Sequence, residues 1–285
     1  MRITRTDLAL ENVEELRQGG DISRLEGVSA AEYTCRGYTV TDVRVATEAA
    51  GERLGKPAGR YVTIDLRPYF RREAGFFSRA AECLARALRA LLPAAGPDFP
   101  VLAAGLGNRA MTADAVGPLA LESLLVTRHM VRALPGQFRG FTPVSALAPG
   151  VLAETGMETL ELLRGAVQAT GSAAVVAIDA LAARSRDRLC ATIQLGDTGL
   201  IPGSGVGNHR KAVNAETLGV PVVALGVPTV IAAGLLGAAA EEEPMFLTPR
   251  DIDEKVRELG RLIGYGVTLA LQQGLTVEDV TGLLG

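Results

Sequence analysis

VLAAGLGNRAMTADAVGP, residues 101–118, is the stretch on which the fold turns. A compact run of Val, Leu and Ala with no polar alternation is the pattern of a strand buried on both faces, as in a parallel sheet. The glycines that follow allow a tight exit, and a helix-forming segment begins near Asp114. Two further runs have the same character, AVVAIDA at 174–180 and VPVVALGV at 220–227, each leading into a polar or Gly-rich loop. Helical periodicity lies between the runs, over 113–133 and 156–169. Strands alternating with helices predict an α/β fold, a sandwich around a largely parallel sheet.

Working outward, YTVTDVRVA (38–46) and RYVTIDLRP (60–68) alternate like strands exposed on one face. Residues 77–92 place Ala, Leu and Cys at helical intervals, and that helix should stop at Pro93. The tail over 248–271 reads as a helix, with TPRD supplying a cap and a first-turn proline. The first thirty residues read as an arm with a short helix broken at Gly19-Gly20. No repeat or linker interrupts the chain, so one domain is expected over residues 1–285.

With 48% hydrophobic and 21% charged residues in 285, the chain has material for a large core and is not of the disordered class. Aromatics are 4% with no Trp, so that core must be aliphatic and Ala-rich. A net charge of −3 lacks the basic footprint of a nucleic-acid binder, and no direct nucleic-acid partner is expected. Cys35, Cys83 and Cys190 are odd in number, far apart and without a CxxC pair. Neither a disulfide framework nor a common zinc spacing is signalled, and reduced thiols in a cytoplasmic protein are expected. Residues 217–240 carry no charge over a length that can span a bilayer. Pro221, Pro228 and the glycines divide the segment, so it reads as a short buried strand, a turn and a small-residue helix, with no membrane role.

The chemistry is sought where open α/β sheets collect it, outside the carboxyl ends of the strands. Asp179 closes the run AVVAID, and Asp114 follows VLAAGLG by a short loop. If the two strands are neighbours, both acids face one crevice. Such a pair can share a proton, one carboxylate activating water while the other, protonated, assists the carbonyl oxygen or leaving group. Alone, Asp114 reads first as a helix cap, and Asp179 equally as a loop tether.

Asn108, Arg184, Arg186, His209 and Arg210 are the further candidates for the crevice. The arginines suit an acidic substrate group or, equally, a solvated helix face. His129 reads as an ordinary helix residue. GSGVGNHRK (203–211) lacks GxGxxG spacing, no GxxxxGK[ST] or GxSxG motif is present, and no HExxH occurs. No cofactor is implied and no metal ligand set is assigned.

Taken in order, GLGN…TADAVGP, LLVTRH, VSALAPGVLAETGMET, AIDALAARS, QLGDTGLIPGSGVGNHRK and LGVPVVALGVPTV resemble the germination proteases, or spore proteases, of spore-forming bacteria. RTDLALE near the start and AGRY at 58–61 extend the likeness to most of the chain. The resemblance implies a three-layer α/β sandwich similar to that of hydrogenase-maturation proteases. It also implies an endopeptidase that starts the degradation of small acid-soluble DNA-binding spore proteins during germination, cutting after an acidic residue and before an aliphatic or aromatic one. The family's two catalytic aspartates fall on Asp114 and Asp179. Members are made as self-processing zymogens. RTDLALE offers the bond Asp7–Leu8, which would make residues 1–7 a propeptide and 8–30 an N-terminal arm. A homotetramer in the cytoplasm of the developing spore, the spore core, is implied as well.

Two departures stand out. TADAVGP replaces the family's more usual TPDALGP, and Ala232 stands where an Asp is common. Within the enzyme class the rival is a hydrogenase-maturation-like peptidase with a metal-dependent site, carboxylates and His209 being possible ligands. Outside it, the rival is a non-catalytic α/β protein that uses the crevice for a ligand.

Overall fold

The computed structural model describes residues 6–19, 25–204, 210–232 and 245–285. Its elements begin with α1 (Ala9–Gln18), β1 (Val28–Cys35), β2 (Tyr38–Val45), α2 (Glu48–Leu54), β3 (Gly59–Asp65) and α3 (Phe76–Arg89). Then come β4 (Val101–Gly105), α4 (Val116–Glu122), α5 (Arg128–Ala133), β5 (Val144–Leu147), α6 (Leu152–Thr155), α7 (Thr159–Thr170) and β6 (Ala174–Ala183). The chain closes with β7 (Thr192–Gly196), α8 (Ala215–Leu218), β8 (Val222–Ala232), β9 (Phe246–Leu247), α9 (Ile252–Leu271) and α10 (Val277–Leu284).

Among the described residues nine strands form one sheet in the order β1-β2-β3-β7-β8-β6-β4-β5, with β9 pairing β8. The sheet has two characters. β8, β6, β4 and β5 are parallel, as the apolar runs predict. β1, β2, β3 and β7 continue it in antiparallel pairing. The sheet is therefore mixed.

Alternation along the strands assigns the two faces. Val101, Ala103, Val176, Ile178, Val223 and Leu225 pack with α3, α4 and α9 in the larger core. Leu102, Ala104, Val175 and Ala177 point the other way, onto Leu160 and Leu163 of α7. On that second face the antiparallel half is covered by α1 and α2, through Ala9, Val13, Ala50 and Leu54. Helix layers on both sides of the sheet make the three-layer α/β sandwich.

Several boundaries differ from the sequence reading. The helix expected over 113–133 is a 3-10 turn (Thr112–Asp114) followed by α4 and α5. It breaks because Leu125 N–H donates to the Thr268 hydroxyl and the Thr127 hydroxyl to Thr142 O, at 3.0 and 2.5 Å. The helix expected over 156–169 is α7, and the short α6 ahead of it closes at Gly156, φ +70°. The helix expected over 77–92 runs from Phe76 to Arg89, and α9 starts at Ile252, after TPRD rather than within it.

The run at 220–227 continues through Pro228 to Ala232 as a single strand, where a turn was expected. Pro228 has no N–H to give a ladder, and the register slips there: Leu181 faces Pro228 while Ala182 faces Val230. Thr229 is the extra residue. The small-residue helix expected beyond it, up to Ala240, falls outside the described residues from 233 on. Among the described residues no helix is long and apolar enough to cross a membrane. Cys35, Cys83 and Cys190 are buried free thiols.

Candidate active site

Asp114 is mounted by backbone contact. After β4 the chain turns at Gly107, φ +103°, and Asn108 N–H donates to Asp114 Oδ2 at 2.7 Å. The displaced Thr229 donates its hydroxyl to Ala113 O at 2.6 Å, so the irregularity in β8 pins the turn that carries the acid. α4 then lies directly on the sheet. A Cβ on Gly117 would stand 2.3 Å from Leu106 O and 2.5 Å from Ile178 O, so only glycine permits that approach.

Asp179 sits one residue beyond the last β4–β6 pair, Gly105–Ile178. It lies within β6 rather than at its end, since the strand runs on to Ala183. Only 6% of it is exposed, and its Oδ1 accepts from Ala180 N–H at 2.9 Å. Burial pushes its carboxyl well above the usual carboxylate range; the Asp114 charge and then the Asp7 charge add to that, against the Ala180 N–H. Asp114 is raised too, first by burial and then by Glu154, while the Asn108 N–H and the Arg210 guanidinium oppose the rise. The pair thus consists of a deeply buried acid whose proton is harder to lose and a more open one with a cation nearby. Their pKa values belong to the pair.

Both acids open into one crevice of about 1260 Å³ on the α1/α7 face of the sheet. Across its floor Asp179 stands beside Gly226 of β8, and Gly226 beside Gln194 of β7. Asp179 and Gln194 are therefore two strand spacings apart, roughly 10 Å, across a residue with no side chain.

Thr6 and Asp7 line this crevice, and the chain bends at Asp7 before Leu8 leads into α1. Asp7 N–H donates to Ala182 O of β6 at 2.9 Å. The Asp7 carboxylate accepts from Ala182 N–H (2.8 Å) and from the Ser204 hydroxyl (2.9 Å). The Asp7 carbonyl oxygen accepts from Lys56 Nζ at 2.9 Å and Gln194 Nε2 at 2.8 Å. Leu8 is fully buried against Ala183 and Ile231, with Leu181 and Leu247 beside it.

Asn108 and Arg210 line the crevice. Arg184 lines it too, yet its guanidinium pairs with Glu15 and Asn12 of α1, and its N–H donates to Glu11. Arg186 is exposed on a 3-10 turn away from the crevice. His209 lies outside the described residues. Among the described residues no three His, Cys, Asp or Glu side chains gather as a metal site requires. Sequence reasoning gave no role to Lys56, Gln194 or Ser204. The one available signal was Gln194, an amide in the otherwise apolar run ATIQLG.

The germination protease family model matches residues 3–279 of this chain. The chain belongs to that family. Germination proteases of Clostridium perfringens and of Caldanaerobacter subterraneus subsp. tengcongensis are 34% and 36% identical to it, each over 98% of both chains. That of Bacillus velezensis is 39% identical over 98% of this chain and 77% of its own. As a member of the family the chain is a peptidase, a hydrolase of peptide bonds. A solved [NiFe] hydrogenase maturation protease, HycI from Thermococcus kodakarensis, aligns with 64% of this chain and 98% of its own at 16% identity and a TM-score of 0.35. So distant a likeness carries nothing about function.

Proposed function

We propose that this chain is the endopeptidase that begins the breakdown of small acid-soluble spore proteins at germination, and that it is made as a zymogen that cleaves its own Asp7–Leu8 bond. Asp114 and Asp179 together activate water. Asp114, the more exposed and ionised, takes a proton from the attacking water, and protonated Asp179 delivers one to the departing amine. Water adds to the Asp7 carbonyl carbon, the C–N bond to Leu8 breaks, and the products are a carboxylic acid at Asp7 and a free amine at Leu8. Residues 1–7 are then a propeptide, and the peptidase domain starts with the arm at Leu8. A tetramer in the cytoplasm of the developing spore is the setting the family resemblance implies.

One observation carries the reading: the crevice that holds both acids is also lined by Asp7, whose carbonyl oxygen, at the acidic–aliphatic Asp7–Leu8 bond, is held by two side-chain donors. Intact mass of wild type, Asp114→Asn and Asp179→Asn after incubation at mildly acidic pH tests it. Loss of residues 1–7 in wild type alone supports both the bond and the acids. Processing of both variants at the wild-type rate would show that the carboxylates do not act. Cleavage of a peptide at a Glu-Ile-Ala or Glu-Phe-Ala site by the processed protein tests the substrate class.

A further inference from the structure

We propose that Lys56 and Gln194 are the electrophilic half of the peptidase site, two donors that hold the carbonyl oxygen of the bond being cut and stabilise the negative charge it acquires. The proposal rests on the reading of Asp7–Leu8 as the self-processing bond and adds residues to it that no carboxylate argument supplies.

Two carboxylates can move protons, but neither gives a cation or a fixed N–H to the oxygen that becomes negative when water adds. In acyl transfer that charge needs donors about 2.7–3.1 Å away, in place before the reaction. The Asp7 carbonyl oxygen has two, the Lys56 ammonium at 2.9 Å and the Gln194 side-chain amide at 2.8 Å. Neither residue is adjacent to Asp114 or Asp179 in sequence, and they come from different elements, the loop after α2 and the middle of β7.

Both are held for this task. Gln194 is 8% exposed, and its Oε1 accepts from Ala9 N–H at 2.7 Å. The side-chain amide therefore spans the Asp7–Leu8 bond, gripping the peptide on both sides with its NH2 directed at the carbonyl. Lys56 also donates to Thr6 O at 3.2 Å, so two of its donors go to neighbouring backbone oxygens. Burial lowers its pKa, against the pull of the Asp7 and Glu11 carboxylates. Such a cation, poorly solvated and partnered by neutral carbonyls, gains most when one of those oxygens becomes an anion. When water adds, the carbonyl π electrons move onto the Asp7 oxygen between Lys56 and Gln194. When the C–N bond breaks they return, and the proton from Asp179 leaves with the Leu8 amine.

The test is the first-order rate of self-processing in the full chain, by intact mass, for wild type, Lys56→Met, Lys56→Arg, Gln194→Leu and Gln194→Glu. Hydrogen exchange at the Thr6–Ala9 amides is followed in parallel to report whether the segment stays docked. Removing one donor should slow processing about a hundredfold to a thousandfold with the segment still docked. Lys56→Arg should recover part of the loss. Near-wild-type rates in Lys56→Met and Gln194→Leu would overturn the proposal, as would slow processing that tracks undocking alone. Gln194→Glu, matched in size but without the donor, carries the test if Lys56→Met fails to fold. If wild type itself does not release residues 1–7, the Asp7–Leu8 reading falls instead, and this outcome is seen before any variant is compared.

Discussion

Gly107 and Asp114 are packed so closely that the second dictates the first: a Cβ on residue 107 would lie 2.0 Å from Asp114 O and 2.9 Å from its Oδ1. The backbone there is also left-handed, at φ +103°. Gly107→Ala should therefore push the Thr112–Asp114 turn off its seat and break the Asn108–Asp114 hydrogen bond. The expected result is loss of self-processing, with a folded core, since the packing of α3 on α9 does not pass through that turn. Intact mass together with circular dichroism checks it, and a variant that processes normally would mean the turn tolerates the shift.

Burial raises the Asp179 carboxyl pKa in the fold, and this has a consequence for stability. In the unfolded chain it titrates near ~3.9. In the fold its pKa is raised by burial, by Asp114 and by Asp7. Between those two values the folded state binds more protons than the unfolded one, so stability falls as pH rises through that window. Below it, both states are protonated and the effect vanishes. Asp179→Asn should thus melt at a higher temperature than wild type near neutral pH, with the gap closing as pH falls towards the usual carboxylate pKa. Thermal melts over a pH series decide this, and a gap that does not depend on pH would place the cause elsewhere.

The acid-binding pocket around Asp7 is small and specific. Ala182 N–H and the Ser204 hydroxyl each give one hydrogen bond to its carboxylate. Asp7→Ala should stop cleavage at this bond, and Asp7→Asn should slow it, because an amide presents NH2 to one of two donors. Hydrogen bonds to charged groups are worth about 1.5–3 kcal/mol, so Ser204→Ala should slow processing roughly tenfold to a hundredfold. Time courses of intact mass measure each. Equal rates for Asp7→Asn and wild type would show that the charge is not read.

How much of this was legible in the sequence follows from which contacts are local. Asp114 and Asp179 were visible because each ends or follows an apolar run, and an acid there has no packing role to play. The antiparallel half supplied the rest and was harder to read. Lys56 in LGKPAG has the signature of any loop lysine. Gln194 belongs to β7, which meets β6 only through β8, so its distance from Asp179 is set by two long-range pairings. The break between α4 and α5 had the same kind of origin. Residues 113–133 keep a helical pattern throughout, and the hydrogen bonds that Leu125 and Thr127 donate to Thr268 and Thr142 outweigh it. Pro228, read as a turn signal, is instead a strand residue whose missing N–H turns Thr229 towards the Asp114 loop.

Glu11 ties the N-terminal helix to the site. It is 4% exposed, and its carboxylate accepts from Arg184 N–H and Ser185 N–H, both at 2.8 Å, and from the Thr6 hydroxyl. α1 and the segment before it are thereby fastened to the end of β6, next to the bond that Lys56 and Gln194 grip. Glu11→Ala leaves two amides without their acceptor, at about 1–3 kcal/mol for each that stays buried. The larger core lies on the opposite face of the sheet and does not share these contacts, so the loss should be local rather than global. Hydrogen exchange should accelerate at Arg184, Ser185 and the Thr6–Ala9 amides while α3 and α9 remain protected. Self-processing should slow, because the bond is held less often against its donors. Unchanged exchange at Arg184 and Ser185 would show that the Lys56, Gln194 and Ala182 contacts hold the segment without Glu11.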